Sequence, residues 1–80
     1  MRIIGNIPHP TFHISVYEWN GKTIIKLEAG PMEQVYKFST DVIRGVEGSV
    51  KILSPEFYDK IHDRFNQMFL DMEEATKGMG

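Results

Sequence analysis

Apolar and polar positions alternate from Thr11 to Trp19, with Phe12, Ile14 and Val16 on one side and His13, Ser15, Tyr17 and Trp19 on the other. A period of two over this length predicts a β-strand. Asn20-Gly21 follows, a pair suited to a type I′ turn because both residues tolerate positive φ. A two-residue loop there forces the register. Val16 then lies opposite Ile25, Ile14 opposite Leu27 and Phe12 opposite Ala29, while Tyr17 faces Ile24, Ser15 faces Lys26 and His13 faces Glu28. Apolar partners meet on one face, an agreement that a one-residue slip destroys.

Gly30-Pro31 marks a second turn, since glycine takes the unusual φ and proline cannot donate to a ladder. A tight turn pairs Leu27 with Gln34, Ile25 with Tyr36 and Thr23 with Phe38, and predicts a third strand over Glu33–Ser39. Residues 40–48 fit either one helical turn through Val42, Ile43 and Val46, ended by Gly48, or a strand remnant. Ser49–Leu53, with Val50 and Ile52 on one side, reads as a fourth short strand. At the other end of the chain, Ile7-Pro8 and His9-Pro10 push the residues before each proline into extended geometry. Residues 1–10 therefore read as an irregular lead-in with a short strand at Arg2–Ile4.

Ser54-Pro55-Glu56 is a helix start: a serine cap, proline at the first helical position and an acid in the first turn. Phe57, Ile61, Phe65, Met68 and Met72 then recur at helical spacing, with Tyr58 and Phe69 widening the stripe. The pattern predicts an amphipathic helix from Pro55 to Thr76, with Lys77 near its carbonyl end and Gly78 and Gly80 ending it. Leu70 falls outside that stripe. A sheet with one strongly apolar face and a helix with one apolar stripe must cover each other. The expected fold is α+β, an antiparallel β-meander of three to four strands with one long C-terminal helix packed on one face, two layers in all.

Eighty residues, 41% hydrophobic and 25% charged, suit one domain over 1–80 and leave no room for a second. Cysteine is absent, which excludes disulfides and thiolate chemistry. No apolar run approaches the ~20 residues of a membrane span. The first six residues lack the apolar core of a signal peptide, so a cytoplasmic protein without membrane partners is expected. A net charge of −2 argues against a strongly basic nucleic-acid binder.

Function is then expected on the sheet face away from the helix. That face carries Tyr17, Trp19, Ile24 and Val35 towards one end, with Lys22, Lys26 and Lys37 interspersed. Scattered apolar residues on an open sheet face need no explanation. A contiguous patch with Trp and Tyr anchors points instead to a protein partner, most simply a second copy in a homodimer. Rings among lysines also fit a stacking platform for single-stranded nucleic acid, the alternative reading of the same surface. At the other end His13, Glu28 and Glu33 share one cross-strand row, and an imidazole with two carboxylates is a candidate divalent-cation site.

Motifs for catalysis are missing. Gly45-Val46-Glu47-Gly48-Ser49 lacks the lysine and preceding strand of a phosphate loop, and no serine carries the flanking residues of a nucleophile elbow. No enzyme activity and no cofactor are expected. Ile7-Pro8-His9-Pro10, Trp19-Asn20-Gly21-Lys22 and Glu33-Gln34-Val35-Tyr36-Lys37 together resemble a set of short uncharacterised bacterial proteins, over about the first half of the chain and the start of the helix. That resemblance implies a domain of unknown function and carries over no catalytic or binding residues. The residues themselves point to a non-enzymatic interaction module.

Overall fold

Both central residues of the first hairpin turn take positive φ, Asn20 at 51° and Gly21 at 70°. They twist in the sense that the flanking strands require, so the hairpin closes with a two-residue loop. The computed structural model, which describes residues 1–79, builds a four-stranded antiparallel sheet around this hairpin in the order β1-β2-β3-β4. The strands are β1 (Arg2–Ile7), β2 (His13–Trp19), β3 (Lys22–Ala29) and β4 (Met32–Ser39). Two helices follow, α1 (Gly45–Ile52) and α2 (Pro55–Thr76).

The hairpin register is the expected one: Val16 pairs with Ile25, Ile14 with Leu27, Tyr17 with Ile24 and His13 with Glu28. The second turn also closes tightly, with Leu27 on Gln34, Ile25 on Tyr36 and Thr23 on Phe38. Both helices lie on the inner face, α1 against β1, β2 and β3, and α2 against β4. Ile7, Phe12, Ile14, Val16, Ile25 and Leu27 from the sheet side meet Leu53, Ile61 and Phe65 in one core.

Two expectations are corrected. The lead-in is a full edge strand running to Ile7, with the β1–β2 register shifting between Ile3 and Gly5. Ser49–Leu53 is not a strand; its residues up to Ile52 belong to α1 and Leu53 caps that helix. With β1 completing the sheet beside β2, the uncovered part of the inner face needs a helix. The inward stripe of α1 and its cap runs through half-buried Val46 and buried Ser49 and Leu53, a helical period hidden in the sequence because its central position is polar. Ser49 is fully buried and its hydroxyl donates to the Gly45 carbonyl at 2.8 Å, so this hydroxyl is satisfied inside the helix. Val50, the residue that suggested a strand, points to solvent.

α2 starts as expected, the Ser54 hydroxyl accepting the Phe57 N–H at 3.2 Å. Its C-terminal cap, Lys77, donates its backbone N–H to the Glu74 carbonyl; Gly80 lies outside the described residues. A polar clasp registers this helix on β4. Gln34 donates to the Ile61 carbonyl at 3.0 Å, the Tyr36 hydroxyl donates to Gln34, and Arg64 donates to the Tyr36 oxygen at 3.3 Å. His9 secures the β1–β2 connection. Its Nδ1 accepts the N–H groups of Thr11 and Phe12, and its ring stacks between Phe12 and Tyr58 at centroid distances of 4.9 and 4.5 Å. Burial in this stack pushes the Tyr58 hydroxyl above its ordinary pKa.

Gly5 sets how closely α1 can approach. A Cβ at this position would meet Val46 Cγ2 at 2.6 Å, closer than side chains pack. Gly5→Ala should therefore lower stability by about 1–3 kcal/mol in urea denaturation. The loss should be smaller when Val46→Ala is already present, and additive losses would show that the two sites do not press on each other.

Candidate interaction face

The period of two that sends Ile14, Val16, Ile25 and Leu27 inward sends their neighbours to the opposite side, which neither helix covers. Cross-strand pairing arranges that outer face in rows. One row runs Trp19, Lys22, Ser39; the next runs Ile3, Tyr17, Ile24, Lys37. A third holds Asn6, Ser15, Lys26 and Val35, and a fourth holds His13, Glu28 and Glu33.

All four expected contact residues lie on this face, in different roles. Trp19 and Val35 are 49% and 45% exposed and Tyr17 is half-buried. Ile24 is only 3% exposed, so it is the floor of the patch and not a contact residue in its own right. Tyr17, Trp19 and Val35 stand around it with Lys26, Lys37, Glu33 and Met1, enclosing a concavity of about 330 Å³. Ile3, 54% exposed and paired with Tyr17, extends the apolar surface onto the edge strand. Sequence reasoning missed Ile3 and Met1 because the β1–β2 connection has no turn signature from which a register follows. The short strand expected at Arg2–Ile4 contains Ile3, but it carried no register on β2, and the bulge between Ile3 and Gly5 interrupts the pattern beyond it.

The fourth row forms as expected, but its chemistry is that of an ion-pair cluster. Lys26 Nζ lies 3.4 Å from Glu28 Oε1 and 3.5 Å from Glu33 Oε2, so an ammonium already offsets the repulsion between the two carboxylates. Among the described residues no group of three or more His, Cys, Asp or Glu side chains converges as a metal site. The hydrogen bond to Glu28, then the charges of Glu28 and Glu33, hold the Lys26 ammonium above the usual lysine pKa. Lys22 and Lys37 enter no ion pair among the described residues.

No helix of the described residues is long and apolar enough to cross a membrane. No protein-family model, curated protein or solved structure matches the chain.

A lysine whose pKa rises on folding stabilises the fold below its unfolded value, about 10.4, and that contribution disappears as pH rises through the folded value. Wild type should thus exceed Lys26→Met in stability at neutral pH, and the gap should close at strongly alkaline pH. Denaturation midpoints measured from pH 7 to about 11.5 check this. A gap independent of pH would mean that Lys26 acts through packing alone.

Proposed function

We propose that this protein is a small non-enzymatic interaction module, cytoplasmic, that self-associates as a homodimer through the outer face of its sheet. The observation that carries this reading is the burial of Ile24 on a face that no element of the described residues covers. Its neighbours already form a shaped, apolar-floored hollow flanked by exposed Trp19, Val35 and Ile3. Exposed aromatic side chains around a hollow are the usual anchors of protein contacts. Contiguous apolar surface of this kind is uncommon on monomers unless it has a use.

A second reading, binding of single-stranded nucleic acid, is favoured by one specific feature. Lys22 and Lys37 are free of ion pairs among the described residues and stand beside Trp19 and Tyr17, so rings and cations share one end of the face. Bases would stack on the rings and phosphates would meet the lysines.

Sedimentation velocity at micromolar concentration should give a dimer for wild type and a monomer for Trp19→Ala, with unchanged circular dichroism. A wild-type monomer, or a dimer indifferent to Trp19→Ala, rules the first reading out. Filter binding of a labelled oligonucleotide across a salt series separates the second. Salt-sensitive retention lost in Trp19→Ala supports it, and no retention at low salt removes it.

A further inference from the structure

α2 outruns the layer that it covers. Ile61 and Phe65 are buried and Met68 is half-buried, but from Phe69 onward every described residue is exposed. At 1.5 Å per residue the stretch from Phe69 to Thr76 projects about 12 Å of helix past its last packed turn. Phe69, Leu70 and Met72 on this projection are 49%, 56% and 43% exposed. One turn beyond Phe69 stands Glu73, and one turn beyond Leu70 stands Glu74, so each exposed apolar side chain has a carboxylate beside it. The last turn holds no basic residue, so Lys77 at the cap is the one cation set against Glu73, Glu74 and the negative pole of the helix.

The outer sheet face presents the complementary set. Trp19 pairs directly with Lys22, and Ile24 directly with Lys37. Apolar side chains there sit beside cations that form no ion pair among the described residues, as on the projection they sit beside anions. We infer that the element covering the outer face is the projecting end of α2 from a second copy, exchanged reciprocally so that each chain supplies one helix end and one sheet face. This rests on the self-association proposed above and names its partner surface. Two like contacts are less favourable. Tail against tail gathers Glu73 and Glu74 of both copies, and face against face with strands aligned along the symmetry axis sets lysines against lysines. A straight helix on the inner face cannot reach the outer face of its own sheet, so the contact is between chains. Exchange about a twofold axis closes it as a dimer.

Charge reversal on exposed residues tests this without touching the core. Lys22→Glu with Lys37→Glu, and separately Glu73→Lys with Glu74→Lys, should each weaken self-association at least about tenfold in low salt by sedimentation velocity. An equimolar mixture of the two variants should restore the dimer, because both exchanged contacts then pair opposite charges. If the helix variant dimerises like wild type while Trp19→Ala is monomeric, the outer face still self-associates but the helix end is not its occupant. Failure of the mixture to restore a dimer overturns the exchange in the same way. A wild-type monomer at every concentration overturns both this inference and the proposal beneath it.

Discussion

The side on which each residue of β2 and β3 stands is decided by the backbone of Asn20 and Gly21. With both residues at positive φ the loop is two residues long. Strand pairing then proceeds without slack, and the side-chain period of two propagates the choice to the far end of the hairpin. Ile14, Val16, Ile25 and Leu27 are directed towards the helices, and Tyr17, Trp19 and Ile24 away from them. A loop one residue longer would put Lys26 where Leu27 now packs. The candidate interaction face is thus the complement of the core and cannot be altered independently of it.

Covering one side of this sheet takes two helices because neither spans it. α2 is anchored along β4 by the clasp from Gln34 and Tyr36 to the Ile61 carbonyl and Arg64, while α1 sits against β1 and β2 where Gly5 lets it come close. The opposite side has no such cover. Its polar end is settled internally by Lys26 between Glu28 and Glu33. The other end keeps exposed Trp19, half-buried Tyr17 and two lysines, Lys22 and Lys37, without ion pairs among the described residues. That asymmetry along the strands gives the outer face a direction, with one end neutralised and the other available.

Much of this is legible in the amino-acid sequence alone. Both hairpin registers, the serine-proline start of α2 and the placement of Tyr17, Trp19, Ile24 and Val35 on one face follow from local turn chemistry and periodicity. Two kinds of information were not local. β1 is joined to β2 through a connection held by His9 stacking on Phe12 and Tyr58, a tertiary arrangement that no turn dipeptide announces. α1 hides its helical period behind a buried serine whose hydroxyl is satisfied inside the helix. The same limit touches the site, where the cross-strand row of His13, Glu28 and Glu33 follows from register alone. The reach of the Lys26 side chain from the adjacent row into that space depends on a rotamer, not on register.

The register shift between Ile3 and Gly5 has a bearing on how copies of this chain can meet. An open meander leaves two outer strands whose free backbone groups are templates for uncontrolled strand addition, the route to fibrous aggregates. An irregular ladder at β1 interrupts the even spacing that an incoming strand would need, and β4 carries alternating charge at Glu33 and Lys37. Both borders of the sheet are thereby guarded, and assembly is steered away from endless lateral growth.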